Sequence, residues 1–198
     1  MKFWNSLNVP NKLTVLRMLM VPLIWIIYLC IPQDFLLMSK EAGFGLRNLL
    51  VLIVFILASL TDYADGQIAR KKHLITSFGK FLDPIADKML VNTTLILLVY
   101  GNEAAIVPVL LMISRDLVVD GLRLSAAAQG TVVSAGFPGK LKTVLQMAAI
   151  ILLVLGNWPF VYMHIPVASI VLWLAAAVSL YSGWVYFVKL KDYVLESM

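Results

Sequence analysis

Apolar residues in this chain run in long blocks separated by short polar breaks, and they do not alternate as strand residues would. Read as helices, the blocks predict spans at about 14–31, 47–71, 78–101, 104–128, 139–157 and 165–188. Each is close to or above the ~20 residues needed to cross a bilayer core as a helix. The expected fold is an all-α integral membrane protein: one domain over residues 1–198, with six transmembrane helices. Ahead of the first span, residues 1–13 mix Phe3, Trp4, Leu7 and Val9 with Lys2, Asn5, Asn8 and Lys12. That mixture predicts an amphipathic segment lying in the membrane interface.

Composition sharpens the class. Hydrophobic residues make up 61% of the chain and charged residues 14%, with a mean hydropathy of +0.91. Soluble domains carry about 45–50% apolar and about 25% charged residues, so soluble, disordered and fibrous classes are excluded. A single cysteine, Cys30, excludes an internal disulfide framework. The formal charge of +5 in so apolar a chain points to anionic headgroups and anionic substrates rather than nucleic acid. Placing the N-terminus inside collects Lys2, Lys12, Arg17, Arg70, Lys71, Lys72, Arg123, Lys140, Lys142, Lys189 and Lys191 on the cytoplasmic side, and leaves Lys40 and Arg47 opposite. Both termini are then expected in the cytoplasm.

The polar residues inside the spans carry the chemistry. Asp62 and Asp65 are three apart, and Asp83 and Asp87 four apart, so each pair shares one helix face. An aspartate costs about 2.5–3.5 kcal/mol at the centre of a membrane helix. Four therefore demand a shared interior site and a neutralising partner. In an antiparallel hairpin closed by the turn KKHLITS, Asp62 stands level with Asp87 and Asp65 with Asp83. All four would then lie roughly 7–14 Å below the cytoplasmic turn. Too few cations are expected at that depth to make them a set of buried ion pairs. An all-oxygen donor set favours a hard divalent ion, Mg²⁺ or Mn²⁺, over zinc. Gly66, Ala69 and Gly79 would let a large ligand approach the backbone, although such small residues also suit close helix packing. Arg70 adds a planar fork suited to phosphate.

Together, Asp62-x2-Asp65-Gly66-x2-Ala69-Arg70-x8-Gly79-x3-Asp83-x3-Asp87 resembles, with no departure, the signature of the CDP-alcohol phosphotransferases. These membrane enzymes move a substituted phosphate from a CDP-linked donor to an alcohol and release CMP. The resemblance implies that Asp62, Asp65, Asp83 and Asp87 hold a pair of divalent ions, with Asp87 also the general base. It further implies that Gly66, Ala69, Arg70 and Gly79, with Thr76, Pro10 and Asn11, surround the CDP moiety, and that the enzyme is a homodimer.

The acceptor has to be read elsewhere. Arg115 and Arg123 lie about 80° apart around one helix. With Lys140 and Lys142 from the next span, they would suit an acceptor that itself carries a phosphate. The lysines equally suit topology, and Asp120 and Arg123 are spaced to pair with each other. A wider likeness, through Asn8-x-Pro10-Asn11-x-Leu13-Thr14-x2-Arg17, Asp83-Pro84-x-Ala86-Asp87-Lys88, Ser114-Arg115-Asp116 and Gly139-Lys140-x-Lys142-Thr143-x2-Gln146, is to the family branch that makes phosphatidylglycerophosphate. It implies CDP-diacylglycerol as donor and glycerol 3-phosphate as acceptor, with the lipid tails in the membrane and no nucleic acid partner. Other branches remain open, including cardiolipin synthases and enzymes using serine or inositol phosphate. So does a divalent-cation transporter, against which all four carboxylates lie at one level. His73 and His164 are expected to be solvated. Gln129–Phe137 is expected to be a connection able to gate headgroup access.

Overall fold

The structure, a computed structural model, describes residues 7–71, 76–128 and 136–195. Side chains at 63, 69–71, 77, 80, 128 and 192–195 lie outside that description. Also outside it are the start of the expected interfacial segment with Trp4, His73, and residues 129–135 of the expected gating connection.

The described residues form six α-helices: α1 (Val9–Cys30), α2 (Leu46–Lys71), α3 (Ser77–Tyr100), α4 (Ile106–Ala128), α5 (Phe137–Val154) and α6 (Val167–Leu195). A short 3₁₀ turn, Phe160–Met163, precedes α6. No strand occurs among the described residues, only an isolated bridge between Ser39 and Phe44. One helix matches each expected span, with shifted ends. The first begins at Val9 because the Asn8 side chain accepts from the Asn11 N–H (3.0 Å) and Pro10 occupies the first turn. An oxygen-bearing cap followed by proline is a strong helix start. Residues 9–13, expected in a separate interfacial segment, therefore belong to α1.

The chain is an all-α membrane protein. Residues Val9–Cys30, Leu46–Ile68, Phe137–Val154 and Val167–Lys191 are each long and apolar enough to cross a membrane. The remaining two helices carry several charges within their spans: Asp83, Asp87 and Lys88 on α3, and Arg115, Asp116, Asp120 and Arg123 on α4. Outward faces are apolar, with Leu19, Ile26, Leu60, Phe81, Ile96, Leu117, Val144 and Trp173 all exposed. A surface of that kind suits lipid.

Packing divides the helices into two groups of three. α1 packs against both α2 and α3, which touch each other only lightly. α6 packs against both α4 and α5, and lighter contacts of α5 with α2 and α3, and of α3 with α4, join the groups. The main core runs through Val21, Ile24, Phe55, Leu90, Leu95, Met112, Ile150 and Leu172. At the end remote from the aspartates, Arg47 pairs with Glu103, lies 4.2 Å over the Tyr28 ring, and neighbours Asn48, which donates to the Val154 carbonyl (2.8 Å). Gly156 closes this end with φ +61°. A Cβ there would meet the Ala42 carbonyl oxygen at 1.7 Å, so no other residue fits.

Candidate active site

Helix periodicity places the site on α1. Its buried residues are Pro10, Asn11, Thr14, Arg17, Val21, Ile24 and Tyr28. That is one face at three- and four-residue spacing, polar in its first half and apolar in its second. The polar half enters between the aspartates of α2 and those of α3. The Arg17 side chain is completely buried, and its Nη1 lies 2.6 Å from Asp62 Oδ1 while its Nη2 donates to Asp65. One turn earlier, Thr14 Oγ1 donates to Asp83 Oδ1 (2.7 Å).

This corrects two expectations. The aspartate pairs do not face each other across a plain two-helix hairpin, because α1 lies between. Nor are cations absent at that depth: Arg17, expected only to serve topology, is an ion-pair partner of both Asp62 and Asp65. The signal was available in the run of Asn11, Thr14 and Arg17 on one face of an otherwise apolar helix.

The four carboxylates still share one region. Asp65 feels the charges of Asp62 and Asp83, and Asp87 those of Asp62, Arg17, Lys142 and Lys88. Asp65 is buried, whereas the Asp62 side chain is 42% exposed. Asp87 makes no ion pair among the described residues. As the side chains stand, no three carboxylates among the described residues are close enough to enclose a metal ion. The donor chemistry nevertheless fits one. Four hard carboxylates meet one guanidinium committed to them, because Lys88 pairs with Asp120 and Lys142 with Asp116. Negative charge in excess within a low-dielectric interior favours a bound hard cation or protonation.

The residues expected around the nucleotide also meet. Thr76 caps α3 by accepting from the Gly79 N–H (3.0 Å) and donates to Asn11 Oδ1 (3.1 Å). The starts of α1 and α3 are thus tied together, with Pro10 and Asn11 buried. A Cβ on Gly79 would come 2.9 Å from Asn11 Oδ1 and 3.8 Å from Asp83 Oδ2, so the backbone is bare beside the carboxylates. Gly66 lies on α2 one residue beyond Asp65. Ala69 and Arg70 belong to the last turns of α2, with side chains outside the described residues.

A second polar cluster forms where α4 and α5 pack on α6. Asp116 is buried and accepts from Arg115 Nη1 (2.9 Å) and Lys142 Nζ (2.6 Å). Arg115 Nη2 donates to Ser182 Oγ (2.7 Å), while Arg123 Nη2 donates to Tyr186 Oη (2.8 Å). The Tyr186 ring lies 4.8 Å from the Arg123 guanidinium carbon and 5.9 Å from that of Arg115. Arg115 and Arg123 therefore share one wall, as expected, and Lys142 joins them through Asp116. Lys140 is exposed and has no ion-pair partner among the described residues. The anticipated Asp120–Arg123 pair does not form, since Lys88 takes Asp120 and Tyr186 takes Arg123. Sequence reasoning missed Ser182, Gly183 and Tyr186, which read there as part of an apolar span. Of the histidines, His164 is exposed as expected.

Comparison with known proteins identifies the family. Residues 7–181 match the family described as CDP-alcohol phosphatidyltransferase. The chain is 44% identical to the CDP-diacylglycerol–glycerol-3-phosphate 3-phosphatidyltransferase of Bacillus subtilis over 183 residues, covering 92% of this chain and 94% of that protein. Proteins of the same description are similar in Rickettsia bellii (39% over 188 residues, 94% and 97% covered) and Haemophilus influenzae (32% over 198 residues, 96% and 97% covered). With the carboxylates, their cation partner and the bare backbone beside them in one place, this chain belongs to the CDP-alcohol phosphatidyltransferase family, whose members are transferases generally dependent on divalent metal.

Proposed function

We infer that this protein transfers the phosphatidyl group of CDP-diacylglycerol to sn-glycerol 3-phosphate, producing phosphatidylglycerophosphate and CMP. The acceptor's free primary hydroxyl attacks the phosphorus that carries the diacylglycerol. The bond from that phosphorus to the bridging oxygen breaks, CMP leaves with the electron pair, and the hydroxyl proton passes to Asp87. Asp87 suits this role because it has no ion-pair partner among the described residues, whereas Arg17 pairs with both Asp62 and Asp65. A base near neutral operating pH, held beside the nucleophile, is the usual means of activating a hydroxyl.

Asp62, Asp65, Asp83 and Asp87 would hold two Mg²⁺ or Mn²⁺ ions per site, which neutralise the diphosphate and stabilise CMP as leaving group. Gly66, Ala69, Arg70 and Gly79, with Pro10, Asn11 and Thr76, take the CDP moiety. The phosphate of the acceptor is assigned to Arg115, Arg123, Lys142 and the surface residue Lys140. The single observation that carries this reading is the cation wall of Arg115, Arg123 and Lys142 on the same bundle as the carboxylates, with Asp87 feeling the charge of Lys142. Residues 1–198 act as one membrane domain of six spans, with both ends and the site at the cytoplasmic face and two copies forming the working unit.

The test is CMP release by purified protein in detergent or liposomes, supplied with CDP-diacylglycerol and Mg²⁺ or Mn²⁺. Glycerol 3-phosphate, serine, inositol phosphate and phosphatidylglycerol are offered separately. Release that needs glycerol 3-phosphate and metal supports the assignment. Release with another acceptor, phosphatidylglycerol as for a cardiolipin synthase included, overturns the acceptor and leaves the family standing.

A further inference from the structure

Arg17 poses a problem of occupancy. Its guanidinium is fully buried, ion-paired to one oxygen of Asp62 and one of Asp65, and its Nε has no hydrogen-bond partner among the described residues. Arginine cannot shed its proton to escape burial. Its positive charge is therefore permanent, and it sits against carboxylates already assigned to divalent ions. Thr14, on the same face of α1, donates a neutral hydrogen bond to Asp83 Oδ1. With these contacts made, no three carboxylates among the described residues converge on a common point.

We propose that Arg17 is an internal counter-cation: it holds Asp62 and Asp65 in place while no divalent ion is bound, and gives them up when one binds. The reading rests on the assignment of those aspartates as metal ligands. Without a cation, like charges gathered in a low-dielectric interior repel one another and push α2 and α3 apart. Arg17 removes that repulsion from inside α1, so the metal-free protein stays folded and the ligands stay near their working positions. The same contact opposes metal binding, because a divalent ion must compete with a fixed charge for the same two carboxylates. Arg17 thus contributes to metal-free stability and to metal affinity with opposite signs. A merely supporting residue, one that orients the carboxylates in both states, would contribute to both with the same sign.

The experiment uses full-length protein in detergent, stripped with EDTA, as wild type, Arg17→Met and Arg17→Lys. Mn²⁺ binding is followed from the electron paramagnetic resonance signal of the free ion, and the unfolding midpoint is measured in EDTA and in excess Mn²⁺. Arg17→Met is expected to bind Mn²⁺ about tenfold or more tightly than wild type, as the loss of a like charge within contact distance implies. Its midpoint should fall in EDTA and recover more on adding Mn²⁺. Arg17→Lys, which keeps the charge but reaches only one carboxylate well, should fall between them and decides the matter if Arg17→Met does not fold. Unchanged or weaker Mn²⁺ binding in both variants overturns the proposal. Wild type that binds no Mn²⁺ overturns the metal assignment itself, and this reading with it.

Discussion

Removing one oxygen atom tests whether the α4–α6 wall binds the acceptor. Tyr186 Oη accepts from Arg123 Nη2 (2.8 Å) and from the Gly136 N–H (3.1 Å), while its ring lies 4.8 Å from the Arg123 guanidinium. Tyr186→Phe deletes the two hydrogen bonds and keeps the ring. A hydrogen bond to a charged group contributes about 1.5–3 kcal/mol net, and a cation over an aromatic face about 0.5–2 kcal/mol. Arg123 in the variant therefore loses the larger part of its anchoring but stays over the ring. If half of the lower figure reaches the bound acceptor, its affinity falls several-fold, and if the whole of it does, by about tenfold. The expected result is a KM for glycerol 3-phosphate raised by roughly that range, with kcat and the KM for CDP-diacylglycerol little changed. The assay is CMP release at saturating donor with the acceptor titrated, on protein whose helical content and elution volume match wild type. An unchanged acceptor KM, or a donor KM that rises by the same factor, refutes the reasoning.

Further outcomes follow from neighbouring geometry. Asp87→Asn should lower CMP release to the limit of detection while leaving the circular dichroism spectrum intact, since Asp87 makes no ion pair among the described residues. A Cβ on Gly183 would come 2.8 Å from Arg115 Cγ and 3.2 Å from its Nε. Gly183→Ala should therefore displace Arg115 and raise the acceptor KM, even though alanine favours the helix by about 1 kcal/mol; steady-state kinetics with each substrate varied checks the selectivity. At the opposite end, burial pushes the Glu103 carboxyl above its usual 4.5 and Arg47 only partly opposes it. The folded chain then binds that proton more tightly than the unfolded chain, so this contribution to stability is full below about 4.5 and is lost as pH rises through the raised value. Glu103→Gln should flatten the dependence of the unfolding midpoint in that window, as a thermal melt series from pH 4 upward would read.

Much of this was legible in the chain because it is local. Long apolar blocks specify membrane helices, and the spacings of Asp62 with Asp65 and of Asp83 with Asp87 place each pair on one helix face wherever that helix packs. The structure starts α1 a few residues before the predicted span, because Asn8 and Pro10 form a capped helix start within a stretch mixed enough to read as interfacial. Arg115 and Arg123 were likewise placed on one wall by helix periodicity alone.

What periodicity cannot supply is the partner each face meets, because that depends on segments remote in the chain that compete for the same surface. Arg17 is 45 and 48 residues from its two carboxylates, as its numbering beside Asp62 and Asp65 shows, and it reads as a topology charge until α1 is seen between α2 and α3. Tyr186 reads as one more aromatic in an apolar span until α6 packs on α4 and its hydroxyl meets Arg123. The membrane class, the family signature and the carboxylate spacing are legible in the chain because each rests on local spacing along consecutive helices. Which cation answers which carboxylate, and that Tyr186 meets Arg123, follow only from the packing of distant helices, because buried charges and hydroxyls must find partners and no single helix provides them.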